Sequence, residues 1–149
     1  MAKADLPKAT VVGVGVVIQK DNKFLLVKEK TDLAEIGKIH GMYSFPSGFV
    51  KPGELPQDAA RREAKEETGL DAELENIIGF YLIKGALGIA YRAKLISKTE
   101  SEIDKDIAET SWFSEAEVRK LNLRPANLQI LQDYLAGKTF PLNSVTDCR

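Results

Sequence analysis

The pattern of apolar and polar positions changes period along the chain. From Thr10 to Gln19 the run TVVGVGVVIQ is dense in Val and Ile and predicts a strand. Asp21-Asn22 supplies turn chemistry and Phe24 to Val27 continues as a second strand, so the two predict a hairpin. Residues 30–42 mix charge with Gly37 and Gly41 and read as a loop. Tyr43 to Val50 is β-prone but broken by Pro46 and Gly48, strand-like only at its ends. Over Pro56 to Thr68 the pattern turns helical. Pro56 suits the first turn, Asp58 adds negative charge there, Ala59, Ala60 and Ala64 favour helix, and Gly69 suits the position just past the end. Residues 72–83 and 87–96 read as paired strands around Lys84-Gly85, and Thr110 to Phe113 as one more short strand. Ser114 and Glu117 form a capping box that opens a helix over 114–121, and Gly137 closes a last helix beginning near Pro125. No repeat or linker interrupts the sequence. These elements predict a single α/β domain over residues 1–149, an α/β/α sandwich with a mixed sheet between helices.

Composition narrows the function. With 44% hydrophobic and 29% charged residues in 149, the chain is of ordinary globular make-up. Lys plus Arg is 21 and Asp plus Glu is 22, so no global basic field exists to hold a long nucleic acid or an anionic membrane. Val11 to Ile18, the longest apolar run, is too short to span a bilayer, and residues 1–10 lack an apolar secretory core; a cytoplasmic location is expected. One Cys, Cys148, excludes an internal disulfide. One His, His40, cannot build a structural zinc site with it, nor does a G-x-S-x-G elbow accompany it. Acid–base chemistry therefore falls to carboxylates, Lys or Tyr, and any metal should be a hard, oxygen-binding one.

Glu63, Glu66 and Glu67 stand at i, i+3 and i+4, on one face of the helix over 56–68. The placement is locally unfavourable. Each like-charge pair costs roughly 0.2–0.5 kcal/mol, and anions in the last turn oppose the helix dipole by about 0.3–1 kcal/mol. Screening by water would make this an ordinary solvated acidic face. A divalent cation explains it better, because three carboxylates on a rigid helix suit Mg²⁺ or Mn²⁺ and leave room for water and a substrate phosphate.

The flanking residues carry a specific signature. Gly48 is followed six positions later by Glu54, and then by Arg62-Glu63-Ala64-Lys65-Glu66-Glu67-Thr68-Gly69-Leu70. The stretch GFVKPGELPQDAARREAKEETGL, residues 48–70, resembles the Nudix box, G-x5-E-x7-R-E-U-x-E-E-x-G-U with U hydrophobic, at every fixed position. At this chain's own composition a chance match is on the order of one in a few million. The resemblance implies a Nudix (MutT-like) hydrolase, a Mg²⁺- or Mn²⁺-dependent pyrophosphatase that cleaves a nucleoside diphosphate linked to another moiety X. It implies Glu63, Glu66 and Glu67 as metal ligands, with Arg62 and Glu66 in the catalytic machinery. Ser47 stands where the family usually has Gly, whose backbone carbonyl often ligates metal, and a Ser carbonyl can serve likewise. Gly48 and Gly53 are expected to let the backbone turn on either side of Val50, and Arg62 with Glu54 to tie the loop to the helix.

Outside the box, Lys28 at the end of the second strand and Lys51 in the box loop are candidate phosphate contacts. Tyr43, Phe80, Tyr81 and Tyr91 include candidate rings for stacking on a base, of which Tyr81 is retained as substrate-binding; strand alternation buries about half such rings. Trp112-Phe113 reads as core packing and His40 as a surface residue. A metal-bound carboxylate is a poor proton acceptor, so the base that activates water is sought just off the metal. The segment before Trp112 offers Asp106 and Glu109, in positions where related enzymes often carry a functional Glu; Glu109 is favoured because Asp106 is the shorter side chain.

Three readings follow: a nucleotide pyrophosphohydrolase; a non-catalytic nucleotide-binding sensor on the same fold; and a structural domain whose acidic helix is incidental. The intact box favours the first, since a sensor is expected to lose box carboxylates or gain a DNA-binding segment. The substrate is expected to be a small nucleotide (an NTP, a sugar nucleotide or an ADP-ribose-like compound), with no long nucleic acid and no membrane. A homodimer stays open. Signatures associated with NADH, coenzyme A, ADP-ribose and dinucleoside polyphosphates are each missing here, though none is universal in its group.

Overall fold

In a computed structural model the described residues are 10–30, 40–98 and 107–148. Strands β1 (Val12–Lys20) and β2 (Lys23–Glu29) form the expected hairpin. Asp21 and Asn22 hold φ of 52° and 61°, so both turn residues are left-handed, as a two-residue turn matched to strand twist requires. The two short strands β3 (Tyr43–Ser44) and β4 (Ser47–Phe49) flank Phe45-Pro46. They leave in different directions, β3 to pair with β2 and β4 to pair with β1.

Helix α1 spans Pro56–Thr68 and ends on Gly69 at φ 72°, whose N–H returns to the Lys65 carbonyl. The chain passes directly from that cap into β5 (Leu70–Ile83), which pairs antiparallel with β6 (Ala86–Lys98). Both strands run longer than their composition predicts. Three register shifts in this pairing reset the alternation, which is how the successive residues Ile77 and Ile78 are both buried. Strand β7 (Ile107–Ser114) lies antiparallel to β2.

The sheet is mixed. Its order is β3-β2-β1-β6-β5, with β1 and β6 parallel, β4 added beside β1 and β7 beside β2. Alternation along β1 sorts its residues between two cores. Val14, Val16 and Ile18 pack with Ala59, Ala60 and Ala64 of α1. Val17 packs on the opposite side with Phe24, Phe45, Val118, Ile130 and Tyr134.

That second side carries α2 (Glu115–Val118) and α3 (Asn127–Leu135), so helices cover both faces as the sequence predicts. Two helices are shorter than expected. The capping box of Ser114 and Glu117 is formed, but α2 lasts one turn. Beyond it, Lys120 and Leu121 donate to the carbonyls three residues back, and the Asn122 carbonyl is taken by the Tyr43 amide of β3. Helix α3 starts at Asn127 rather than near Pro125, because Ala126 sits at φ 71°. Among the described residues no helix is long and apolar enough to cross a membrane.

Candidate active site

The loop before α1 and the helix itself are folded around one guanidinium. Arg62 Nε and Nη2 donate to both Glu54 oxygens, at 3.0 and 2.9 Å, and Nη2 also reaches the Phe49 carbonyl at 3.0 Å. Its Nη1 donates to Glu63 at 2.8 Å and lies 3.4 Å from Glu66. The loop from β4 to α1 is thereby tied to the middle of the helix, as the sequence predicts. The Arg62 bonds hold the Glu54 carboxyl down at about 2, with the Lys51 amide as the next contributor. Hydrogen bonding to Glu54 raises the guanidinium in turn, against the opposing effect of its own burial.

The three helix glutamates differ in surroundings. Glu67 is buried, 4% exposed, and its Oε1 accepts the Ser47 amide at 2.5 Å. Glu63 lies against Gly48, whose Cα has no side chain to displace it: a Cβ there would sit 2.0 Å from the Glu63 carboxyl carbon. Gly48 is therefore a close-approach glycine and not the turn glycine expected; the positive φ belongs to Gly53, at 78°. Glu66 is the exposed member.

Glu63 and Glu67 open onto a cleft of about 520 Å³ on the face of the sheet away from the body of α1. Its floor is β1 and β6, where the register pairs Gly13 with Gly88 and Gly15 with Ala90, so small residues face one another across the two strands. Ser47, Gly48 and Lys51 line it on the α1 side; Phe45, Tyr81, Ile83, Arg124, Asn127 and Ile130 line it on the α3 side. Volume and lining suit a small organic ligand with one charged end.

The structure brings Ser47, Lys51, Glu63, Glu67 and Tyr81 to this cleft. The Tyr81 hydroxyl is committed to Asp133 Oδ2, at 2.8 Å, which leaves the ring as its offer to a ligand. Burial first, and then that hydrogen bond, push the phenol well above its ordinary range. Burial also raises the Asp133 carboxyl, but bonds from Tyr81, Lys138 and Gln129 outweigh it and leave the group below its usual value.

Lys28 and Glu109 are cross-strand neighbours on β2 and β7 and are not among the residues that line the cleft. Lys28 Nζ stands 5.8 Å from the centre of the Tyr43 ring, and Glu109 Oε1 accepts the Tyr43 hydroxyl at 2.8 Å. The next residue, Thr110, has its hydroxyl 3.5 Å from the Glu67 carbonyl, so this end of β7 reaches the end of α1. Asp106 lies outside the described residues. Of the other candidate rings, Tyr91 is buried and Phe80 exposed, while Trp112 packs on the α1 core as expected.

The sequence reading missed Arg124 and Asn127. Arg124 Nη1 donates to Glu29 Oε1 at 3.2 Å and to Ser47 Oγ at 3.1 Å. Asn127 Oδ1 accepts the Phe45 amide at 2.9 Å. Their sole sequence signal was Pro125, read only as a helix start.

As the side chains stand, no three His, Cys, Asp or Glu among the described residues converge to enclose a metal ion. The donor set nevertheless has the chemistry of a hard-cation site. Glu63, Glu66 and Glu67 carry three carboxylates on one helix, and the bare Cα of Gly48 leaves the Glu63 carboxylate its space.

A model of the NUDIX domain matches residues 9–134. The chain belongs to the NUDIX family. A NUDIX hydrolase from Nitrosomonas europaea superposes with a TM-score of 0.81 at 30% identity, over 93% of this chain and 97% of that one. Among sequences, an ADP-ribose pyrophosphatase of Methanocaldococcus jannaschii is 41% identical over 70 residues, which is 47% of this chain and 38% of the relative. The phosphatase NudJ of Shigella boydii is 28% identical over 144 residues, 91% of this chain and 90% of its own. The match to the archaeal pyrophosphatase thus spans less than half of that relative's length. The NUDIX match runs from before β1 to Tyr134 in α3, so every residue that lines the cleft falls within the family domain.

Proposed function

We propose that this chain hydrolyses the pyrophosphate bond of a nucleoside diphosphate linked to a second moiety X, with Mg²⁺ or Mn²⁺ as cofactor. The observation that carries the reading is the opening of two carboxylates of one helix, Glu63 and Glu67, into a cleft large enough for a small nucleotide. Glu63, Glu67 and Lys51 sit on the α1 side, and the apolar residues Phe45, Ile83 and Ile130 line the α3 side with Arg124, which suits diphosphate at the acidic side and base or sugar over the Gly13–Gly88 floor.

Glu63, Glu66, Glu67 and the Ser47 carbonyl would hold the cation. When bound, the cation neutralises diphosphate charge and favours in-line attack of water at phosphorus. Arg62 keeps the glutamates and the loop in register through its bonds to Glu54 and Glu63. Lys51 supplies positive charge to the phosphates from within the cleft, and Lys28 from the β2 side. The Tyr81 ring stacks on the base. A carboxylate near the start of β7, Glu109 or Asp106, takes the proton from water, and Glu109 is the preferred one because its carboxylate can be held by the Tyr43 hydroxyl.

A small substrate is favoured over long RNA by the near-zero net charge of the sequence. The archaeal relative makes ADP-ribose the first compound to assay. The test is turnover of ADP-ribose, nucleoside triphosphates, oxidised nucleotides, sugar nucleotides, dinucleoside polyphosphates and capped RNA, with and without Mg²⁺ or Mn²⁺. Metal-dependent release of a nucleoside monophosphate from one of the small compounds is expected. Metal-independent turnover, capped RNA as the best substrate, or no turnover at all would overturn the proposal.

A further inference from the structure

Arg124 lies in the segment between α2 and α3, and nothing in the proposed reaction uses it. Its Nη1 donates both to Glu29 Oε1 and to Ser47 Oγ, at 3.2 and 3.1 Å. Glu29 is at 0% exposure, so this ion pair lies in a low-dielectric setting where geometry is strongly held. The backbone around Arg124 is held as well. The Tyr43 amide donates to the Asn122 carbonyl, the Arg124 amide to the Tyr43 carbonyl, and the Asn127 side chain accepts from Phe45.

Ser47 is gripped from a second direction. Its amide donates to Glu67 Oε1, so one residue of β4 meets the guanidinium at its hydroxyl and the α1 carboxylate at its backbone. A glycine at position 47 would keep the second contact and lose the first. The serine is thus not a neutral replacement of the family's usual glycine: its hydroxyl and amide connect Arg124 on the α3 side of the cleft to Glu67 on the α1 side.

We infer that Arg124 is a positioning residue of this site, acting through the Ser47 hydroxyl to fix the Ser47 peptide against Glu67, so that cation binding at the α1 glutamates depends on the segment before α3. The inference rests on the cation-holding role of those glutamates. Partners one shell outside a metal site typically change its affinity by about 10–100-fold when removed. Lys is a poor replacement for Arg here, since its ammonium ends one bond short of the Nη1 that donates to both acceptors.

The experiment is Mn²⁺ binding to the nucleotide-free protein, followed by loss of the free-ion paramagnetic resonance signal, with thermal unfolding recorded beside it. Ser47→Ala is expected to weaken Mn²⁺ about tenfold at nearly unchanged melting temperature, and Ser47→Thr, which keeps a hydroxyl, to bind within about twofold of the unaltered protein. Arg124→Lys should weaken binding to a similar degree, and adding Ser47→Ala to it should weaken binding no further. Two results overturn the inference while leaving the cation site standing: Ser47→Ala that binds Mn²⁺ like the unaltered chain, or effects of the two substitutions that multiply. Absence of Mn²⁺ binding by the unaltered protein overturns the cation site and this inference together.

Discussion

The carboxyl group of Glu63 occupies the space where residue 48 would carry a side chain, its carbon 2.0 Å and its oxygens 2.3 and 2.4 Å from an ideal Cβ on Gly48. The strand and the helix therefore approach at a glycine, and the object at closest approach is the flexible end of a candidate ligand. Gly48→Ala should displace that carboxylate at little cost to the fold. The expected outcome is a melting temperature within a few degrees of the unaltered protein with turnover reduced by at least 10²-fold, the scale on which small misplacements act. Parallel loss of folding and activity would show that strand and helix, not the carboxylate, carry the contact.

Glu67→Gln separates charge from shape. The amide oxygen of Gln can still accept the Ser47 N–H, while a negative charge leaves the last turn of α1. Turnover should fall by several orders of magnitude, and stability should hold or rise because repulsion with Glu63 and the helix end is relieved. Undiminished steady-state turnover would remove Glu67 from the cation-binding set.

Glu109→Gln probes the base. Turnover should drop by roughly 10²–10⁴-fold with Mn²⁺ binding little changed. If that variant keeps full activity while Glu66→Gln or Asp106→Asn abolishes it, the proton goes elsewhere.

Glu54 gives a pH signature. Its carboxyl stands near 2 in the fold, against 4.5 for an unperturbed group. A depressed carboxyl stabilises the native state fully above the unfolded value, and that contribution is lost as pH falls from about 4.5 toward about 2. The stability difference between the unaltered protein and Glu54→Gln, measured by urea unfolding, should accordingly shrink across that window. A difference that stays constant from pH 5 to pH 3 would contradict the Arg62–Glu54 account.

Tyr91 lies at 0% exposure in the α1-side core, and its hydroxyl finds no hydrogen-bond partner among the described residues. Burial, with a smaller opposing effect from Arg61, pushes that hydroxyl up to about 12. Tyr91→Phe should stabilise the protein by about 1 kcal/mol, a rise of roughly 2–4 °C in melting temperature. A lowered melting temperature would mean that the hydroxyl is satisfied in solution.

Local chemistry made much of this molecule readable. Helix α1 falls on Pro56–Thr68 as its proline, alanines and terminal glycine predict, and both two-residue hairpin turns lie where Asp21-Asn22 and Lys84-Gly85 place them. The box spacing set Glu63 beside Gly48, Glu67 beside Ser47 and Arg62 beside Glu54, because a helix and its preceding loop convert spacing into distance directly. Arg124 obeys no such rule. It meets Ser47 across 77 positions and Glu29 across 95, and a lone arginine before a proline carries no sign of either partner. The left-handed Ala126 and the early end of α2 were hidden for the same reason. Long-range bonds to β3 and β4 set the path of residues 119–127, not the propensities of the residues in it.

The cross-strand pairs Gly13–Gly88 and Gly15–Ala90 make the depth of the cleft a matter of absent atoms. A depth set that way can be changed in increments of one carbon. An ideal Cβ on Gly15 meets its nearest neighbour, the Pro46 carbonyl oxygen, at 3.9 Å, so a methyl there shallows the floor without disturbing the strand. The Arg62 cluster and the α1 glutamates are untouched by such a change. The α1 glutamates and the shape of the cleft beside them can therefore change independently, one carbon at a time at the floor and without a shift in the helix that carries the charge.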